Sequence, residues 1–344
     1  MPARDNNSHT TFHRRLIQAL EPVRQVFLAQ TILAMLDSGI ASSLCSRGYD
    51  PDELGKVLGL QPERVVALLL YAVNENLVIQ QGTKFVASDR LRELLEFAPW
   101  YELLIGGYGR TLLDLPSLLQ GHQYGARDVT RVGHGSSGIS KYDTIPVVLQ
   151  LLNSLPSLKV VADLGSADAS YLLHICRAFP GVQGVAVEPD FGSAEQAKKI
   201  IAEEEMTQRI SVYNERIQEF VKVHNDIDCY ILAFVLQEVL AQEGREHVVS
   251  LLRTLMGKSL HVHLVVVEVD YKPRSARLRM GLGRSYYNPY FLLHELTKQQ
   301  LCDRAEWLSI FSDAGCRVVT SAYPSDEVDP THFEEAFLLV AEPL

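Results

Sequence analysis

Two stretches of this chain place reactive side chains at the ends of apolar runs. The first, "VVADLGSADASYLLHI" at 160–175, runs apolar into Asp163, breaks at Gly165 and the small residues through Ala169, and resumes with helical spacing. A strand, a turn of small residues and a helix N-terminus together let the backbone approach a ligand closely and offer it unpaired N–H groups. A dinucleotide cradle would want G-x-G-x-x-G around a pyrophosphate, whereas this loop reads Gly-Ser-Ala-Asp-Ala, with Asp168 where phosphate would come close. Asp163 and Asp168 favour a cation instead. The second stretch, "AFVLQEVLAQEG" at 233–244, follows another apolar run and sets Gln237 and Glu238 just beyond it.

The cation has further requirements. Twenty-five residues beyond Asp163, the run "GVAVEP" reaches Glu188, whose carboxylate can accept both hydroxyls of a ribose. A nucleoside with a positive charge satisfies both features, and S-adenosylmethionine carries a sulfonium and an ammonium group.

These residues need a scaffold, and from about 157 the chain supplies one. Apolar strands "KVVADLG", "GVAVEP", "RISVYN", "DCYILAF", "HLVVVEVD", "RVVTSAY" and "EAFLLVAE" alternate with amphipathic helices, which predicts an α/β fold with a parallel, doubly wound sheet. The last two strands leave no room for a helix between them, so an antiparallel hairpin is expected to end the sheet. Ligands of such sheets lie beyond the carboxyl ends of the strands, where strand order reverses. His261 and His263 sit at the amino end of their strand, away from that crevice, and read as structural.

The first hundred residues differ in texture. "RLIQALEPVRQVFLAQTILAMLDSGIASSL" spaces its apolar residues three and four apart and is interrupted at Gly39, as a helix end would be. Asp50 and Pro51 predict a helix start, Gly59 a turn, Pro62 a second helix, and "LVIQQGTKFVAS" two short strands about Gly82. The unit resembles a winged helix. Its second helix, "PERVVALLLYAVNEN", supplies only Arg64 as a cation, and the chain carries a formal charge of −10, so packing or dimerisation is expected rather than nucleic-acid binding. The more apolar positions from Leu16 to Leu36 than one buried stripe requires predict a homodimer. The expected organisation is a helical domain over 1–100, a connecting region over 101–156 that contributes to the substrate pocket, with "GHGSSG" read as a loop, and a catalytic domain over 157–344.

No apolar run is long enough to span a bilayer and the start is polar, so no membrane partner and a cytoplasmic location are expected. Five scattered cysteines without a CxxC pair point to neither a disulfide framework nor a zinc knuckle.

Residues 157 to 344, with Asp163, Gly165 and the Glu188 spacing, resemble the class I S-adenosylmethionine-dependent methyltransferases. That family's first loop reads acidic-x-Gly-x-Gly-x-Gly, and here Ala167 and Ala169 replace the later glycines. The resemblance implies cofactor contacts from Asp163, Gly165, Ala167 and Glu188, an adenine site near Asn214, and a flanking Phe234, which reads equally as a core aromatic. With the helical winged-helix domain included, most of the chain resembles the small-molecule O-methyltransferases. Those enzymes carry a His-Asp pair after the fourth strand; Gln237 and Glu238 stand in its place, and a glutamine cannot take a proton.

The α-keto acid C-methyltransferases of amino-acid antibiotic pathways resemble the chain at this "QE" and at "YNPYFLLHELTKQQ". That resemblance implies a metal, zinc or iron, held by Gln237, Glu238 and His294, and methylation at C3 of a 2-oxo acid. Glu238 and His294 then belong to the catalytic set; Arg110, Arg127 and Arg131 are candidates to pair the substrate carboxylate, with Arg127 favoured. The leading acceptor is 5-guanidino-2-oxopentanoate, the route to 3-methylarginine, and Glu102, Asp114 and Glu295 are open candidates for its guanidinium. Read singly, Gln237 and Glu238 also suit the polar first turn of a helix running to Met256, and His294 a helix residue satisfied by a neighbour. An O-methyltransferase of a small phenol or acid and a cofactor-sensing winged-helix regulator are the competing readings.

Overall fold

A computed structural model describes residues 6–258 and 261–342, with side chains described from residue 11. The chain forms two compact units, one up to Gly106 and one from Gly107.

The first unit begins with the long helix α1 (Asn6–Asp37), followed by α2 (Ile40–Ser46), α3 (Pro51–Leu58), α4 (Pro62–Asn74), strands β1 (Val78–Gln81) and β2 (Lys84–Ala87), and helices α5 (Asp89–Glu96) and α6 (Ala98–Tyr101). Local chemistry sets these boundaries. Gly39 takes a left-handed φ of 75° between α1 and α2, Asp50 accepts the Asp52 N–H to cap α3 with Pro51 behind it, and Gly82 turns the two-stranded wing at φ 64°. Leu28, Ile32 and Met35 of α1 are buried with Leu44, Leu54, Leu69 and Phe85, while Phe12, Leu16, Ile17, Leu20, Val23, Val26 and Phe27 are exposed.

The second unit opens with helices α7 (Gly109–Leu118), α8 (Val129–Ser140) and α9 (Thr144–Asn153). It continues through β3 (Val160–Leu164), α10 (Ser170–Ala178), β4 (Gln183–Val187), α11 (Phe191–Glu203), β5 (Ile210–Tyr213), α12 (Ile217–Val223) and β6 (Cys229–Ala233). Helices α13 (Leu236–Glu243) and α14 (Arg245–Met256), β7 (His263–Val269), α15 (Asn288–Leu296), α16 (Arg304–Asp313), β8 (Cys316–Ala322) and β9 (Glu334–Ala341) complete it. The seven strands lie in the order β5-β4-β3-β6-β7-β9-β8, with β9 antiparallel to both neighbours and the other pairings parallel. All seven expected strands and the closing hairpin are present. Because β4 and β5 lie on one side of β3 and β6 on the other, strand order reverses beside β3, and the crevice lies at the carboxyl ends of β3 and β6; β9 inserts between β7 and β8 at the far edge. Buried side chains fill both faces of the sheet: Trp307, Phe311 and Leu252 on one, Val148, Leu172 and Ile231 on the other.

Two local expectations are corrected. The "GHGSSG" segment is helical, within α8, because Asp128 accepts the Arg131 N–H as its cap and the small residues Gly135, Ser137 and Gly138 let the helix pack closely enough to be buried. A side chain at Gly133 would press to 3.2 Å on Ala167. The helix expected to run from Gln237 to Met256 is two helices, broken where Gly244 adopts φ 87°. Among the described residues no single helix is long and apolar enough to cross a membrane.

Candidate active site

The end of β3 carries the first half of the site. Asp163 is 1 % exposed, and its Oδ2 is buried without a hydrogen-bond partner. Gly165 at φ 84° passes so close to Val235 that a β-carbon would lie 2.6 Å from Cγ2. Ala167 and Ala169 both hold left-handed backbone, at φ 45° and 62°, which explains why glycine is the commoner choice at these positions. Glu188, just past β4, binds this loop: its Oε2 accepts the Ala167 N–H and its Oε1 the Asp190 N–H, each at 2.9 Å. Asn214 donates to the carbonyls of Glu188 and Pro189 at 2.8 and 3.1 Å, so it braces the turn that presents Glu188.

Three carboxylates thus gather around one loop. Burial, followed by the charges of Glu188 and Asp168, pushes Asp163 up to about 8, and burial raises Glu188 as well. A group held this far from its ordinary range is relieved by a bound cation.

The second half is built on α13 and α15. Phe234 turns the chain out of β6 at φ 59°, with its N–H on the Val267 carbonyl at 2.9 Å. Glu268 of β7 then caps α13 across the sheet, its Oε1 accepting the N–H groups of Leu236 at 2.9 Å and Gln237 at 3.4 Å. The Gln237 side chain, 2 % exposed, donates Nε2 to the Phe234 carbonyl at 3.3 Å, which leaves its buried Oε1 without a hydrogen bond. His294 is also 2 % exposed and stacks on Tyr290 with ring centroids 3.8 Å apart. Its Nδ1 lies 2.8 Å from the Tyr290 carbonyl, which can only accept, so Nδ1 carries the proton and Nε2 the free lone pair. Burial lowers the imidazole to about 3 and keeps it neutral.

Glu238 Oε1 accepts from Arg127 Nη1 at 2.7 Å and from Gln299 Nε2 at 3.4 Å, and Gln299 Oε1 accepts the Tyr108 hydroxyl at 2.9 Å. Burial opposes the Arg127 charge, but the Glu238 hydrogen bond and charge outweigh it. Arg127, expected to meet a substrate carboxylate, is therefore anchored on Glu238 first. Tyr108, Tyr290, Gln299 and Glu268 are site components that the sequence reading missed. Tyr290 had a signal, since four residues before His294 is the same helix face; the others are brought in by long-range packing. Among the described residues no group of three or more His, Cys, Asp or Glu is placed to hold a metal; the trio of Gln237, Glu238 and His294 contains only two of those types.

Fold and loop together define a class I S-adenosylmethionine-dependent methyltransferase. The structure of human N-acetylserotonin methyltransferase in complex with S-adenosylmethionine matches with a TM-score of 0.70 at 13 % identity, covering 100 % of both chains. That of the mitomycin 7-O-methyltransferase MmcR matches with a TM-score of 0.69 at 14 % identity, covering 96 % of this chain and 99 % of the other. No family model matches the sequence. The chain is 36 % identical over 337 residues, 95 % of its own length and 96 % of the relative's, to the 2-ketoarginine methyltransferase of Streptomyces arginensis, and it belongs to that family.

Proposed function

We propose that this enzyme methylates C3 of a 2-oxo acid, with 2-ketoarginine (5-guanidino-2-oxopentanoate) as acceptor and a metal ion at Gln237, Glu238 and His294. One observation carries the reading: where a proton-abstracting pair would stand after β6, there is an amide oxygen, Gln237 Oε1, buried without a partner, and the third residue of the set, His294, is an imidazole held neutral. Neither is a base suited to a phenol. Both are neutral donors with a fixed lone pair, and with the Glu238 carboxylate they fit a borderline divalent ion such as zinc or ferrous iron. The identity to a 2-ketoarginine methyltransferase supports the acceptor.

Held by these residues, such an ion would supply Lewis acidity toward the C2 carbonyl and so acidify the adjacent C3–H. The chain's own residues do the rest. Glu268 holds the first turn of α13, which carries Gln237 and Glu238, and the Tyr290 carbonyl sets the His294 tautomer. Arg127, fixed by Glu238, keeps further N–H donors for the substrate carboxylate. Asp163 and Asp168 would supply negative charge toward the cationic methyl donor. Two subunits are part of this reading, supported by the exposed apolar side chains of α1.

The test is incubation with methyl-labelled cofactor and a panel of 2-oxo acids, with the methyl located by NMR. Label on C3 of 5-guanidino-2-oxopentanoate is expected. Label on an oxygen of a phenol or acid, with none on carbon, would return the protein to the O-methyltransferases.

A further inference from the structure

A small cavity beside the acceptor-side residues ends in two carboxyl groups that the proposed chemistry does not use. Asp143, which caps α9, and Glu334, the first residue of β9, line it together with Ser140, Phe234, Tyr286 and Tyr290. They are 5 % and 2 % exposed. Asp143 accepts the Thr144 N–H, whereas Glu334 Oε2 is buried with no hydrogen-bond partner. The groups acting on the pair are each other, the Asp329 carboxylate, the Tyr287 hydroxyl and Thr144; none is a cation. Asp329 is already satisfied, by the Tyr287 hydroxyl at 2.6 Å and by Thr331.

Two buried carboxyl groups without a counter-ion are costly, and burial followed by mutual charge holds Glu334 well above the carboxylate range. The cost disappears if the cation arrives with the ligand. The cavity shares two wall residues with the acceptor side: Tyr290, whose ring stacks on His294, and Phe234, whose carbonyl accepts from Gln237. Two of the three carboxylates singled out from the sequence, Asp114 and Glu295, are engaged elsewhere. Asp114 is paired with Arg110 at the surface at 2.6 Å, and Glu295 accepts from Tyr271 in an exposed setting.

We propose that Asp143 and Glu334 form the subsite for the acceptor's guanidinium and set specificity for a 2-oxo acid with a planar cationic side chain, which rests on the acceptor reading above. A guanidinium presents paired N–H donors that two carboxylates can accept, and its faces suit the aromatic walls of Tyr286 and Tyr290.

The experiment compares kcat/KM for 5-guanidino-2-oxopentanoate with that for its neutral isostere, 5-ureido-2-oxopentanoate, in the wild type and in Glu334→Gln and Asp143→Asn. The preference for the guanidino acid should fall by roughly 100-fold in either variant, as expected when a buried charge partner is neutralised. An unchanged preference in both overturns the subsite, and so does a matching loss of S-adenosylmethionine affinity, which would assign the pair to the cofactor. A second measurement needs neither turnover nor the variants: calorimetry of the wild type should show binding of propylguanidinium and none of propylurea, and equal or absent binding of the two overturns the proposal. If propylguanidinium binds the wild type and not Glu334→Gln while neither acid is methylated, the proposed reaction fails and the subsite stands.

Discussion

Glu188 Oε2 accepts the backbone N–H of Ala167 at 2.9 Å, so the carboxylate at the end of the second sheet strand also shapes the loop after the first. Its removal therefore has two consequences. Glu188→Ala should weaken S-adenosylmethionine binding by about 1–3 kcal/mol through lost ribose hydrogen bonds and a loosened loop. Glu188→Gln, which keeps one carbonyl acceptor, should lose less. Calorimetric affinities that do not differ between wild type and Glu188→Ala would remove Glu188 from the cofactor site.

Metal dependence separates the proposed reaction from O-methylation. Exhaustive chelation, or His294→Ala, should abolish methyl transfer to 2-ketoarginine and leave cofactor binding largely intact. Elemental analysis should show metal in the wild type and loss of it in the variant. Full activity in protein proven metal-free would defeat this expectation.

Glu268 acts at one remove, through the backbone of α13. Glu268→Ala leaves the Leu236 and Gln237 N–H groups unpaired in a buried setting, at a cost of about 1–3 kcal/mol in stability. Metal content and kcat should drop with the melting temperature, while S-adenosylmethionine affinity changes little. A variant that melts earlier yet retains full metal would show that the cap supports the fold alone.

Cofactor affinity should depend on pH through Asp163. Its folded value of about 8 lies above the ordinary 3.8, so between these values the free folded protein binds the extra proton and loses stability as pH rises. A bound cation favours the ionised form and releases that proton. Affinity for S-adenosylmethionine should therefore rise, by up to about tenfold per pH unit, until pH reaches about 8, and then level off. A flat profile in calorimetry, or one that falls with pH, would contradict the charge assignment.

The outward side chains of α1 lead to a test of assembly. Sedimentation at micromolar concentration should report a dimer, and Phe27→Glu with Val23→Glu should shift it toward monomer by placing charges on the apolar surface. A monomeric wild type would leave that surface without the partner proposed for it.

Much of this protein was legible in its residue order. Strands, turns and caps follow from local chemistry: alternating apolar runs, Asp50 before Pro51, glycines at 39 and 82 where the backbone turns left-handed. The loop after β3 was legible for the same reason, because Asp163, Gly165 and Ala169 are neighbours in one turn and Glu188 follows one strand later. The acceptor side was legible only as separate fragments. Glu268 and Gln299 meet α13 from two distant segments and Tyr108 joins them through Gln299, and nothing local to any of them encodes that meeting. The helix over "GHGSSG" was misread because glycine and serine signal loops when backbone entropy decides, whereas here tight burial against neighbouring elements decides. The pairing of Asp143 with Glu334 lay furthest from view. One residue caps a helix and the other opens the last strand, 191 positions later, and only the antiparallel insertion of β9 beside β7 brings a buried carboxylate from each to the same cavity.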